Sequence, residues 1–387
     1  MMRLYFVFTS LFRICFLAVM LCFSSSAFAA ITLRLEDGVS LQFSSGDFDI
    51  QRYTGEMRDV VLFQDDQMVA EADFVRMQTS GEFETASFVI DDLVVENLQL
   101  YPTDGSELIV RSITAQDLPL GLIAGAPGTA DDLAGMNWDQ AFFKIDEMLY
   151  LDAPAGFGAE IASIGLRDIG ILQLAAGTSL LEKIRLEMPM MRIVPLGRSP
   201  AATEFETWLS RLGRDDLIIQ LNTQTNMREQ ADILRQITGF ELALSGLGEI
   251  YFDIEIGVPT PLYEAAMMQV ATGEAEEEML GMLFSAATLH GARLDIADGG
   301  ALALIDQSPE MPERSDLAQE AGFFLTSFLP QYGPELAATL GQFIEQGGSL
   351  QLTIVPQMAM PFEAMLGFLF LPDLAIEQLG ISLTHQP

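Results

Sequence analysis

Cysteine is almost missing from this chain, and histidine and lysine nearly so. Both cysteines, Cys15 and Cys22, fall within the first thirty residues. Beyond them neither disulfides nor thiolates can contribute, so a chain of 387 residues must be held by its core. The two histidines, His290 and His385, are far apart in sequence, and no G-x-S-x-G elbow occurs. His290 therefore reads as a strand residue on a polar face rather than a general base. Zinc sites, which want His and Cys ligands in number, are excluded. Lysine occurs only as Lys144 and Lys183, with no G-K-[ST] sequence. Gly156-Phe157-Gly158 and Gly246-Leu247-Gly248 both lack the further glycine of a phosphate-cradling loop, which argues against nucleotide hydrolysis.

What basic charge there is stands against a large excess of acid: 19 Lys and Arg to 55 Asp and Glu, a net charge of −36. Such a surface repels phosphates, so nucleic acid is excluded as a partner and docking on anionic lipid is disfavoured. The acidity has two readings: solubility for a chain that is 50% hydrophobic, or attraction for a cationic partner. Calcium is the one metal an oxygen-rich chain suits. Its candidates, Asp131-Asp132 and Asp295 with Asp298 beside Gly299-Gly300, lack the spaced carboxylates of a calcium loop. No metal and no cofactor are expected. Paired carboxylates for glycoside hydrolysis stay open, because so many acids allow many spatial pairs.

The first residues have a composition of their own. Arg3 opens a basic stretch, Leu11–Phe23 is apolar apart from Arg13, and Ala27-Phe28-Ala29 is a small-x-small site before Ala30. This is the layout of a signal peptide over 1–29, cleaved between Ala29 and Ala30. The alternative is an uncleaved anchor, but the run is short of the about 20 apolar residues a span needs. Leu21 before Cys22 disfavours lipidation, since a small residue is wanted there. Export follows, most simply to a periplasm, with membrane attachment only if the segment is retained. Removing it takes the net charge to about −38, because it holds two basic residues and no acid.

Period-two alternation dominates the rest. Phe240–Gly257 gives the clearest case: Phe240, Leu242 and Leu244 alternate with polar residues, as do Ile250, Phe252, Ile254 and Ile256 beyond a Gly246-Leu247-Gly248 turn. That is the sequence form of a β-hairpin with one apolar face. Upstream, strands are expected at 31–35 and 39–43 around Asp37-Gly38, then at 58–63, 70–78, 87–100 and 108–115, with turns at Asp65-Asp66 and Thr103-Asp104-Gly105. The segment 119–135, rich in Gly and Ala, is loop or short helix, and 138–151 is strand or helix. One unit recurs: apolar, any, Asn/Asp/Gly, apolar, any, apolar. It stands at 95–100 (Val95, Asn97, Leu98, Leu100), at 166–171 (Leu166, Asp168, Ile169, Ile171) and at 289–294. The central residue tolerates positive φ, so each unit is expected to carry a bulge that bends its strand.

The second half mixes classes. Thr203 and Glu206 have capping-box spacing for a helix to about Gly213, followed by a strand over 217–222. Helices are expected from Pro261 to Thr272 and on to Phe284, over Leu317–Phe328, from Pro334 to Gly347, and at 361–370. The stripes Leu262–Val270 and Leu317–Phe328 are candidates to cover the sheet. Strands are expected at 287–296, 350–354 and 380–384, and Asp298-Gly299-Gly300 is read as a hairpin turn into a strand at 301–305. The fold class is thus α+β and mostly β: a long curled antiparallel sheet of hairpins with helices on one face. Two regions divide it, a β-rich 30–200 and an α+β 201–387, with one continuous sheet as an option.

The apolar residues suggest recognition more than catalysis. Methionines gather at 188–191, 267–268, 279, 282, 358, 360 and 365, where they serve as core filler or as an adaptable surface. The run 362–371 reads as a buried helix in preference to a groove lid or shallow insertion. The bulged-strand units and LSGLGEIYFDIEIG (245–257 with Leu244) resemble AsmA-like envelope proteins of Gram-negative bacteria, and exported proteins of alphaproteobacterial type. The resemblance implies a curled sheet whose concave apolar face shields lipid chains; it carries over no functional residues. The expectation is a non-enzymatic envelope protein binding a hydrophobic ligand on Leu242, Leu244, Ile250, Phe252 and Ile254. The alternatives are a self-covered interaction module that binds an envelope protein through its acidic surface, and a hydrolase using two inward acids.

Overall fold

Successive strands pair with one another, apart from two short early strands that share one partner, and this rule generates the whole sheet. The computed structural model describes residues 31–387 except 35–38, 50–51, 65–66, 82–86, 103–104, 124–127, 130–137, 153–154, 175–177, 198, 272–276, 308–311 and 369. Residues 1–30, over which a signal segment with cleavage between Ala29 and Ala30 was expected, and Asp37-Gly38, Asp65-Asp66 and Asp131-Asp132 lie outside the described residues. The strands are β1 (Ile31–Arg34), β2 (Val39–Phe43), β3 (Ser45–Asp49), β4 (Thr54–Gln64), β5 (Gln67–Ser80), β6 (Val89–Leu100), β7 (Glu107–Leu118) and β8 (Phe142–Asp152). They continue as β9 (Phe157–Gln173), β10 (Thr178–Pro195), β11 (Leu217–Gln230), β12 (Ile233–Leu244), β13 (Gly248–Pro259), β14 (Thr288–Asp298), β15 (Ser349–Ile354) and β16 (Ile381–Gln386). Every ladder is antiparallel; β2 and β3 run as one bent ribbon along β4. The sheet of 16 strands is not closed, and β1 and β16 lie at its two ends. The β10–β11 ladder carries it without a break from one half of the chain into the other.

A crease crosses the first half of this sheet. Along β4 to β9 the core-facing residues step from a spacing of two to a spacing of three where the crease crosses: Met57 to Val60, Ala72 to Val75, Val95 to Leu98, Val110 to Ile113, Ile145 to Met148 and Ile161 to Ile164. The registers set the intervening residues Asp59, Asp73, Asn97, Arg111 and Glu147 opposite one another in a row. On alternate strands the row residue has positive φ: Asp59 at 51°, Asn97 at 52° and Glu147 at 50°. Cross-strand contacts stitch the row together: Asn97 Nδ2 donates to Asp73 Oδ2 at 2.7 Å, and Arg111 pairs with Glu147. At one end Ser44, between β2 and β3, donates to Asp59; at the other, β10 slips register between Met188 and Met191. An extra residue bends its strand; a row of them bends the sheet. Consequently the apolar face of β2–β10 packs against itself, with Val110 1%, Ile113 2%, Met77 2% and Leu100 3% exposed.

Eight helices of six or more residues follow among the described residues, all from Pro200 onward: α1 (Pro200–Arg211), α2 (Thr260–Ala271), α3 (Glu277–Ala286), α4 (Ala301–Gln307), α5 (Arg314–Phe328), α6 (Gly333–Gln346), α7 (Phe362–Gly367) and α8 (Pro372–Leu379). A four-residue turn at Leu120–Ile123 is the only helix described within 119–135, and 138–151 resolves into a 3₁₀ turn and β8.

Three expectations need correction. The first helix begins at Pro200, capped by Ser199, whose Oγ accepts from Ala202 N at 3.0 Å; Thr203 already lies within it. Residues 301–305 are helical: Asp298 Oδ1 accepts from Gly300 N and Leu302 N, so the carboxylate caps α4 where a hairpin turn was expected. Ala and Leu in ALALI then favour helix over strand. The stripe on α5 is also divided: Ala318 is buried and Leu317 and Leu325 half-buried, whereas Phe324 and Phe328 face out, 65% and 48% exposed.

Candidate functional site

Beyond β10 the crease stops, and β11, β12 and β13 pair one to one along their full length. β11 to β12 turns through Ala231 and Asp232, both in the left-handed region, which is the backbone of a type I′ hairpin. These straight strands carry the same apolar face onward as cross-strand rows. One row runs Leu221–Leu242–Ile250–Ile296–Leu350–His385. The next is Thr223–Phe240–Phe252–Leu294–Leu352–Leu383. The third is Thr225–Thr238–Ile254–Ala292–Ile354–Ile381. All five residues singled out from sequence, Leu242, Leu244, Ile250, Phe252 and Ile254, lie on this face. None is fully buried.

Helices close the ends of this face and leave its middle half-buried. Leu234, 2% exposed, packs with Leu174, Leu180 and Tyr263 of α2 at one end. Burial there raises the Tyr263 pKa. At the β15–β16 end Phe343 of α6, itself buried, meets the His385 ring edge-on at 6.3 Å, and His385 Nε2 lies 2.7 Å from Gly347 O. Along the third row Ile254, Ile354 and Ile381 join Leu289, Met360 and Leu379, with Phe362 and Met365 of α7 against them. Between these caps Leu221, Leu242, Ile250, Phe240, Phe252, Leu294 and Leu352 form an apolar trough continuous with the main core at Met188 and Leu221.

The reverse face is polar. Glu241, Tyr251, Asp295 and Gln351 line up across it, with Gln351 Nε2 donating to Asp295 at 2.8 Å. Burial, then the Asp253 charge, raises the Tyr251 pKa. His290 is the extra residue where the β13–β14 register steps between Glu255 and Ile256. Its ring lies across Gly257, where a side chain would collide with Nε2, and Nε2 is 3.2 Å from Thr288 Oγ1. Burial, with the Arg235 charge beside it, holds its pKa below the ordinary value. Arg228 and Arg235 both reach Glu255, at 3.3 and 3.1 Å.

Among the described residues no group of three His, Cys, Asp or Glu is placed to hold a metal. The two calcium candidates within the structure have other tasks: Asp295 accepts from Gln351 and pairs with Arg293, and Asp298 caps α4. The trough rows bring no two acids together, so the inward pair that a carboxylate hydrolase requires does not arise on this face. Methionines divide: Met188, Met191 and Met360 are buried, whereas Met190, Met282 and Met358 are exposed. Met267 and Met268 have side chains outside the description.

The run 362–371 departs most from its reading. Its helix ends at Gly367, Phe370 is 85% exposed and Leu371 59%. With Phe324 and Phe328 of α5, 65% and 48% exposed, these make an exposed apolar ledge that periodicity missed, because a helical phase that fits Leu317, Ala321 and Leu325 also admits Phe324 and Phe328. Among the described residues no helix is long and apolar enough to cross a membrane. No family model matches the chain, and no curated protein matches it.

Proposed function

We propose that this is an exported, non-enzymatic envelope protein that holds a lipid chain, or a hydrophobic molecule of similar shape, in the trough of β11–β15. One observation carries the reading. The same alternating face is buried where the sheet is creased and half-buried where it is straight, so Leu242, Ile250, Phe252 and Leu294 present apolar surface that the described residues cover only in part. Apolar lining with few polar groups is what a ligand of this class requires. The resemblance of the bulged units to AsmA-like proteins points the same way. Mass spectrometry of the purified protein should find co-extracted lipid, and a fluorescent fatty acid should bind and be displaced by unlabelled fatty acid. Phe252→Glu, which puts a carboxylate on the trough floor, should abolish that binding while circular dichroism stays unchanged. Protein that carries no lipid and binds no fatty acid removes the proposal.

A further inference from the structure

The exposed ledge is built of residues that take no part in the trough rows. On α5 the residues Asp316, Glu320, Phe324 and Phe328 follow one another at intervals of four, so they share a helix face, and all four are exposed. Phe324 and Phe328 stack at 5.9 Å with an interplanar angle of 7°. The turn after α5 ties this face to the start of α8: Gln331 N donates to Asp373 Oδ1 at 3.3 Å, and Tyr332 OH to Glu377 Oε1 at 2.7 Å. Phe370, Leu371 and Leu374 stand just before and within the start of α8, which these two bonds hold beside the end of α5. Phe324, Phe328, Phe370, Leu371 and Leu374 together expose roughly 500 Å² of apolar side chain, at the upper end of the largest patch on an ordinary monomer.

Charge decides what fits this ledge. From residue 315 to the end the chain has seven acidic residues and neither Lys nor Arg. Among the described residues Asp316, Glu320, Asp373 and Glu377 have no ion-pair partner, whereas most arginines elsewhere are paired. A second copy of the chain would bring acid against acid, and an anionic lipid surface would be repelled in the same way. We propose that the ledge binds a basic amphipathic helix of a protein partner, which lays its apolar face on Phe324, Phe328 and Phe370 and its Lys or Arg against Asp316, Glu320 and Glu377. This surface and the trough stand on different observations and can fail separately.

Two labelled 18-residue probe helices test the proposal, one of Leu and Lys only and one of Leu and Glu in the same apolar pattern. In fluorescence anisotropy with the purified protein, the Leu/Lys helix should bind, and the Leu/Glu helix should not. Phe324→Ser with Phe370→Ser should raise the Kd at least tenfold while circular dichroism stays unchanged, since both side chains are exposed. Equal binding of the Leu/Lys helix to the double variant would mean that overall acidity alone attracts it, and would overturn the proposal. So would equal binding of both helices. Flotation with phosphatidylcholine vesicles that the double variant loses, in the absence of Leu/Lys binding, would assign the ledge to a neutral membrane surface.

Discussion

If the crease shapes the first half, a residue that resists positive φ should damage it in proportion to that resistance. Asn97 is the best place to ask. Its φ of 52° suits Asn but places a β-branched residue in a region that costs about 1–2 kcal/mol. Its amide also donates to Asp73 at 2.7 Å on an exposed surface, a bond whose net worth is about 0.5 kcal/mol. Asn97→Val should therefore destabilise by about 2 kcal/mol. Asn97→Gly keeps the backbone and loses only the hydrogen bond, so it should cost about 0.5 kcal/mol. The two variants separate conformation from contact. Urea unfolding followed by tryptophan fluorescence reads the difference as a lower midpoint for Val at an unchanged slope. There is a reason the Val cost should not be relieved by straightening the strand. Without the extra residue Leu98 and Leu100 would turn outward, because a slip of one residue moves every following side chain to the other face. Leu100 is 3% exposed and Leu98 packs on the core. Equal midpoints for Val and Gly would refute the account, since backbone strain would then contribute nothing.

Other positions answer to the same physics. Leu209, 0% exposed on α1, should cost about 2–5 kcal/mol when changed to Ala, read by thermal or urea unfolding. Ala231→Gly should raise stability by about 1 kcal/mol, because Ala231 holds a φ of 53° in a two-residue turn that favours Gly; a lower midpoint would contradict it. For His290, burial lowers the folded-state pKa, so the folded protein prefers the neutral ring. Its contribution to stability is complete above about pH 6.5 and is lost as pH falls through that value towards the lower folded pKa. An NMR titration should show one imidazole titrating below 6.5, a signal that His290→Gln removes. Tyr101, hydrogen-bonded to Glu71 at 2.6 Å, is pushed up to about 12, so its phenolate absorbance should appear late in an alkaline titration and vanish in Tyr101→Phe.

The sheet was legible because alternation is a local property. Each ribbon from Val39 to Ile256 announces its period within a few residues, and neighbours in sequence turned out to be neighbours in space. The bulged unit was legible too: the spacing Val95–Leu98–Leu100 and the positive φ of Asn97 and Asp168 are one fact seen twice. What one unit could not show is that its counterparts on adjacent strands fall in register, since Arg111 and Asp73 occupy the row with ordinary backbones. The Ala231-Asp232 turn lacks the Asn-Gly signature, so the long β11–β12 hairpin was read as a short strand. Helix phase was the other blind spot. Phe324 and Leu325 are adjacent in sequence and nearly 100° apart on the helix, and only the packing partner α6 decides which one turns inward.

A half-buried apolar face on a sheet whose ends are not paired to each other would ordinarily invite stacking and edge-to-edge growth. Several features oppose that here. The end strand β16 is six residues long, and Pro387 follows it without a backbone donor. The reverse face of β12 to β15 carries Glu241, Asp253, Glu255 and Asp295, so a second sheet approaching from that side meets carboxylates. Helices α6, α7 and α8 guard the trough's rim at Leu350, Ile354 and Ile381, which narrows what can reach Phe252. The net charge of −36 adds a repulsion that acts at longer range between copies. Acidity and a half-buried apolar face are thus compatible in one chain: the charge keeps like molecules apart, and the polar reverse face and the helices at the ends leave little apolar surface for a second sheet to stack on.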